Sequence, residues 1–189
     1  MSLEFCDPQK HNGGFFVRVS RDGGQKATFQ INSVVIKDTL ESGVDLDMEV
    51  RNPDEFNRLD EEIKDAAKEN KRAWFGRELA NSTLDRAFNP SVQDNTISCR
   101  LATVKGKNVA RAFMNKDEID IESLEEGTEC QAIMELTGIW FLQKTYGPIW
   151  RVVQVRVKPP KKPIYTQEYM FKDDEEEDDT QDMDDLFSV

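Results

Sequence analysis

Along most of this chain apolar and polar residues alternate with a period of two, the signature of half-buried strands, and over one interval the period lengthens to that of a helix. Phe15–Val19 is predicted as a first strand, followed by the turn Asp22-Gly23-Gly24. Ala27–Lys37 is predicted as a second, with Phe29, Ile31 and Val35 on one face. Val44-Asp45-Leu46-Asp47-Met48-Glu49-Val50 alternates without a break, which predicts a strand with an apolar inner face and an acidic outer one. That acidic face repels phosphate, so any nucleic-acid groove would have to lie on another side of the body. Asn52-Pro53-Asp54-Glu55 has the form of a helix start: a capping Asn, a Pro where no N–H is needed, and acids against the helix dipole. Phe56, Leu59, Ile63 and Ala67 follow at helical spacing, leaving Asp60, Glu61 and Lys64 to solvent. Helical spacing resumes through Trp74, Phe75 and Leu79, then around Leu84 and Phe88, and Asn89-Pro90 ends it. Trp74 is predicted to fill the core beneath the helix.

The second half returns to period two as two predicted hairpins. Thr96–Met114 folds back at Lys105-Gly106-Lys107, and residues 117–128 form an acidic loop. Glu129–Lys158 folds back at Lys144-Thr145-Tyr146-Gly147-Pro148. Strict alternation assigns the faces of this long hairpin. Ala132, Met134, Leu136 and Trp140 share one face of the outgoing strand, which turns Trp140 towards the core. On the return strand Val153, Val155 and Val157 form one face and Trp150, Gln154 and Arg156 the other, which puts Trp150 outside, available to a ligand. The organisation expected is a flexible lead-in over 1–13, a body over 14–165 with a helical insertion at 52–90, and a C-terminal tail over 166–189.

Charge separates body from tail. The formal net charge is −12, but residues 172–189 hold ten of the 37 acids and one of the 25 bases, leaving the body nearly balanced. From Leu136 to Gln167 there is no acid against six bases, and between Asp94 and Asp117 no acid against Arg100, Lys105, Lys107, Arg111 and Lys116. The N-terminal bases Lys10, Arg18, Arg21, Lys26 and Lys37 face only Asp22, and read either as solvated strand edges or as part of a binding face. The tail is too polar to bury a core and is expected to be disordered.

Several chemistries find no support. Cys6, Cys99 and Cys130 have no metal-ligand spacing, His11 is the only histidine, and no metal or cofactor is expected; Cys99 and Cys130 read as core positions. No Gly-rich phosphate loop, nucleophile elbow or zincin motif occurs, so the reading is non-enzymatic. No apolar run approaches a membrane span and MSLEFCDPQK lacks a signal peptide's apolar core, from which an intracellular protein without membrane association is expected.

Strands that come as hairpins, with one helical insertion, fit a mainly β (minor α+β) fold: a small antiparallel barrel of the oligonucleotide/oligosaccharide-binding (OB) type. Such barrels bind single strands with a basic groove and aromatic platforms. The candidate nucleic-acid-binding residues are Arg100, Lys105, Lys107, Arg111, Lys144, Tyr146, Trp150, Arg151, Arg156 and Lys158, with Phe113 and Trp140 as further stacking groups. In the tail, Asp182, Asp184, Asp185, Leu186 and Phe187 form an acidic run with a small apolar tip, a candidate competitor for the basic groove and a docking point for partners.

A barrel-like body, an acidic tail with a near-terminal Phe, and the segment GIWFLQKTYGPIWRVVQVRV at 138–157 resemble the single-stranded DNA-binding proteins of the T7-phage type. Within them the resemblance is to the branch found in large nucleocytoplasmic DNA viruses such as those of algae, and it covers roughly residues 15–189. It implies single-stranded DNA binding in replication, recombination and repair, often as a homodimer, with DNA polymerase or helicase reached through the tail, in host nucleus or cytoplasm. Val189 lies beyond the phenylalanine that usually closes such tails, and the acidic Val44–Val50 strand narrows the available groove. Two alternatives stay open: an acidic interaction or assembly protein (a virion component or chaperone), and an RNA-binding transcription factor on the same fold.

Overall fold

A computed structural model describes residues 2–11, 14–38 and 45–159. The strands are β1 (Leu3–Phe5), β2 (Gln9–His11), β3 (Gly14–Arg21), β4 (Thr28–Ile36) and β5 (Asp45–Val50), followed by helices α1 (Asp54–Glu69), α2 (Lys71–Phe75) and α3 (Asn81–Ala87). Then come β6 (Thr96–Leu101), β7 (Thr103–Val104), β8 (Lys107–Asn108), β9 (Arg111–Met114), β10 (Asp117–Ile119), a 3-10 turn at Ile121–Ser123, β11 (Glu129–Phe141) and β12 (Tyr146–Val157). The five strands β4, β5, β6, β12 and β11 pair in a closed circuit, antiparallel throughout except β6 with β12, which are parallel. This is the OB-like barrel expected, with the three helices inserted between β5 and β6.

Burial of alternate residues explains why the barrel closes. Leu46, Met48 and Val50 on β5, Ile97, Cys99 and Leu101 on β6, and Cys130, Ala132, Met134 and Leu136 on β11 all point inward. Cys99 and Cys130 are core residues, as the alternation predicts. Helix α1 starts where expected, with Asn52 Oδ1 accepting the Asp54 N–H at 3.0 Å, and buries Phe56, Leu59, Ile63 and Ala67. Trp74 packs edge-on against Phe5 and Phe141, filling core as predicted.

Four expectations are corrected. Residues 1–13 are not merely a lead-in, because β1 and β2 both pair with β3. The segments flanking Lys105-Gly106-Lys107 do not form a long hairpin. Only β7 and β8 pair, around Lys105 and Gly106, both at positive φ, while β6 and β9 each run parallel to β12. The acidic stretch 117–128 is not all loop, since β10 pairs with β9. Asp60, expected in solvent, is 4 % exposed.

Asp60 accepts hydrogen bonds from the Ser91 N–H at 2.8 Å and the Ser91 hydroxyl at 2.6 Å, and that hydroxyl accepts the Trp150 indole N–H at 2.8 Å. This chain of bonds ties α1 to the loop before β6 and to β12. Burial raises the Asp60 carboxyl above its ordinary 3.8, against the opposing Ser91 bonds and the Lys64 charge. A raised folded value means that ionising Asp60 costs stability as pH climbs from the ordinary value through the folded one. Asp60→Ala is therefore expected to cost about 1–3 kcal/mol in urea unfolding, through the stranded Ser91 donors. The difference from the parent protein should widen as pH falls through the raised value and narrow above it.

Candidate nucleic-acid interface

Three β-bulges decide which side chains the barrel shows. On β4, pairing moves from Val34 with Cys130 to Ile31 with Ala132, leaving an extra residue between them. Val34 and Ile36 thereby turn inward and Val35 outward, the reverse of simple alternation. On β12, Gln154 pairs with Ile133 and Val152 with Met134, so Val153 is the extra residue. Val155 and Val157 are buried on one side of it, and Val152 and Trp150 on the other. On β11, Leu136 pairs with Trp150 and Gly138 with Ile149, which makes Thr137 the extra residue, and the inward set changes from Met134 and Leu136 to Ile139 and Phe141.

The bulges exchange the two hairpin tryptophans. Trp150, expected outside, is 3 % exposed and packs edge-on between Phe29 and Phe56 at 5.7 and 5.1 Å. It is not a stacking platform. Tyr146 is likewise corrected, being 2 % exposed among Phe75, Phe88 and Phe141. Burial pushes its hydroxyl well above the ordinary phenol value. Trp140, turned towards the core by the alternation, stands half-buried on the outer face.

That outer face carries an open groove of about 780 Å³ whose lining includes Phe16, Trp140, Pro148, Ile149, Arg100 and Arg151, with Asp45 and Ser98 at its β5–β6 side. A second hollow of about 310 Å³ shares Phe16, Thr137 and Arg151 with it and extends past Arg18 to Lys26 and Glu135. The acidic strand β5 thus borders the groove through Asp45, contrary to the expectation that the two lie on separate sides.

Its aromatic wall depends on two glycines. Phe16 and Trp140 are direct cross-strand partners. A Cβ on Gly138 would meet the Phe16 ring at 2.3 Å, and one on Gly14 would come within 3.0 Å of the Trp140 indole. Each ring therefore lies against backbone that only glycine leaves bare, which holds it along the sheet. The basic part comes from strand order. Parallel pairing sets Arg151 of β12 directly beside Arg100 of β6, and antiparallel pairing sets Asp45 of β5 on the far side of Arg100. Arg100 Nε donates to Asp45 Oδ1 at 3.2 Å with both side chains largely in water.

The other candidates lie around this centre. Lys105 and Lys107 are exposed on the β7–β8 hairpin, and Lys144 on the turn between β11 and β12. Arg111 is exposed over the Phe113 ring and donates to Glu118 at 2.7 Å. That bond holds the Glu118 carboxyl below, and the Arg111 guanidinium above, their usual ranges. Arg156 donates to Gln131, and Lys158 reaches Ser33. Of the ten residues named from sequence, the groove joins Arg100 and Arg151 and takes part of its floor from Trp150, whose ring faces the core. It adds Phe16, which no periodicity marked, and the adjoining hollow adds Arg18, visible only as one of the N-terminal bases. The tail residues Asp182, Asp184, Asp185, Leu186 and Phe187 lie outside the described residues. Among the described residues no group of three His, Cys, Asp or Glu side chains is placed to hold a metal, and no helix is long and apolar enough to cross a membrane.

A model for a family of unknown function, DUF5871, matches residues 32–173, which takes in the barrel strands from most of β4 to the end of β12. The chain belongs to that family. No curated protein matches it. Among solved structures, it is similar to the single-stranded DNA-binding protein from bacteriophage Enc34, at 11 % identity and a TM-score of 0.47, over 88 % of this chain and 96 % of that one. The same phage protein in complex with single-stranded DNA matches at 12 % identity and a TM-score of 0.43, over 86 % and 99 % of the two chains. Both scores fall below 0.5, which leaves the barrel and groove of this chain itself to indicate what it binds.

Proposed function

We propose that the protein binds single-stranded nucleic acid, DNA foremost, along the outer groove of β3, β11, β12 and β6. The observation that carries this is the placement of two arginines abreast, Arg100 and Arg151, beside two aromatic rings held along the sheet, Phe16 and Trp140. Guanidinium groups suit phosphate oxygens, and aromatic faces stack on any base, so the combination binds a strand without reading its sequence. Of the charged side chains lining the two hollows, Arg18, Lys26, Arg100 and Arg151 outnumber Asp45 and Glu135. Lys105, Lys107, Lys144, Arg156 and Lys158 flank this path as further phosphate contacts, with Arg111 held back by Glu118.

The wider reading is a non-enzymatic DNA-binding protein of viral type, acting inside the cell in replication, recombination and repair, with the binding domain spanning 14–165. In it the tail over 166–189 competes with DNA for the groove. Its end, Asp182 to Phe187, recruits a polymerase or helicase, and two copies act as a dimer.

Fluorescence anisotropy of a labelled oligothymidylate across a salt series tests the binding. With Arg18 and Arg151 each neutralising a phosphate, log K should fall against log salt with a slope of about −1.4 or steeper, at about −0.7 per contact. Removing residues 172–189 should tighten binding. A salt-independent affinity would point away from phosphate recognition, and unchanged affinity after truncation would remove the competition.

A further inference from the structure

Across three neighbouring strands the outer face reads Arg151, Arg100, Asp45, each the direct cross-strand partner of the next. Strands in a sheet lie about 4.8 Å apart, so the two arginine side chains leave the sheet side by side, close enough for their like charges to repel. Asp45 offsets this on one side, its carboxylate accepting the Arg100 Nε–H at 3.2 Å. The same Nε–H is one that a phosphate oxygen would take. We infer that Asp45 is a built-in counter-anion of the groove: it neutralises Arg100 in the unliganded protein and yields that arginine to the backbone phosphate of a bound strand.

This rests on the reading of the groove as a nucleic-acid site and deepens it by naming what the ligand displaces. The exchange is feasible because the resident pair is weak. Arg100 is 70 % and Asp45 59 % exposed at the side chain, and an ion pair so exposed contributes little to stability. A phosphate arriving with its own stacked bases and the free attraction of Arg151 can replace it. Asp45 remains at the groove edge after losing Arg100, where it repels the bound backbone and keeps the strand exchangeable.

The consequences for stability and for binding have opposite signs, which separates this role from a purely structural one. Asp45→Asn removes the counter-anion and leaves Arg100 beside Arg151, so the unliganded protein should melt slightly lower. The same variant should bind an oligothymidylate of about 16 nucleotides, the upper site size for one barrel, about 2- to 5-fold more tightly, as expected for a lost exposed pair. Its salt slope should steepen by up to about 0.7, because no freed carboxylate then takes up a cation in place of the one that Arg100 releases from the phosphate. Asp45→Glu keeps a carboxylate within reach and should stay near the parent affinity. In an Arg100→Ala background the gain from Asp45→Asn should shrink to a residue of long-range repulsion.

Anisotropy titrations of the four variants in the full chain decide the matter. Tighter binding with a steeper slope, the gain largely lost in Arg100→Ala, supports the exchange. Unchanged or weaker binding by Asp45→Asn overturns it, and so does a gain of equal size without Arg100. Absence of binding by the parent protein and every variant sinks the groove reading itself, an outcome distinct from both.

Discussion

Replacing Arg100 and Arg151 together by alanine is expected to weaken binding of an oligothymidylate by about 100-fold, the low end for losing two charge-assisted hydrogen-bonding groups. The loss stays at the low end because Arg100 is well exposed, where water screens its attraction. The two side chains are partners across the only strand junction in the barrel circuit that is parallel, β6 with β12. Their proximity is therefore a product of topology rather than of sequence distance. Neither contributes its side chain to the hydrophobic core, so the double variant should keep the barrel, and circular dichroism with a melting curve would verify that. Single variants should lose less. A double variant that binds as well as the parent protein would place the phosphate path elsewhere on the surface.

Trp150→Ala is expected to destabilise the protein by about 3–5 kcal/mol, the usual range for removing a buried aromatic residue. Its ring fills the space between Phe29 of β4 and Phe56 of α1, and its indole N–H ends the hydrogen-bond chain from Asp60 through Ser91. Removing it empties a site where barrel and helix meet and leaves the Ser91 hydroxyl short of a donor. Urea unfolding followed by far-ultraviolet circular dichroism measures the loss. A stable variant with weakened oligonucleotide binding would restore Trp150 to the surface role that strict alternation assigns it.

The contrast between the two tryptophans shows how far the sequence carries. Strand and helix types were legible because period-two runs such as Leu46, Met48 and Val50 and the helical set Phe56, Leu59 and Ile63 need no tertiary knowledge. The barrel class was legible although only the second of the two long hairpins it rested on, Glu129–Lys158, forms. Facing in the long hairpin was not, because a β-bulge adds one residue and reverses every later side chain. Val153 and Thr137 are ordinary strand formers, and nothing in their identity marks a bulge. Gly138, one residue past Thr137, is the one local sign, as a glycine inside an apolar strand can signal a bulge or a close approach. The pairing of β6 and β9 with β12 was equally hidden, since their turn is real but serves only β7 and β8. The basic intervals pointed to Arg100 and Arg151, but their adjacency, and the participation of Phe16 and Arg18, exist only once β12 has two parallel neighbours and β11 has β3.

Quenching of tryptophan fluorescence by single-stranded DNA tests the central claim most directly. Trp74 and Trp150 are buried in the core, and Trp140 is half-buried on the groove wall. Titrating an oligothymidylate into the parent protein, and into a chain ending at residue 171, should quench part of the emission. In Trp140→Phe, which keeps an aromatic face for the base, binding followed by anisotropy should persist while the quenching disappears. Quenching that survives in Trp140→Phe, or no binding by the chain ending at 171, would contradict a strand stacked along this groove.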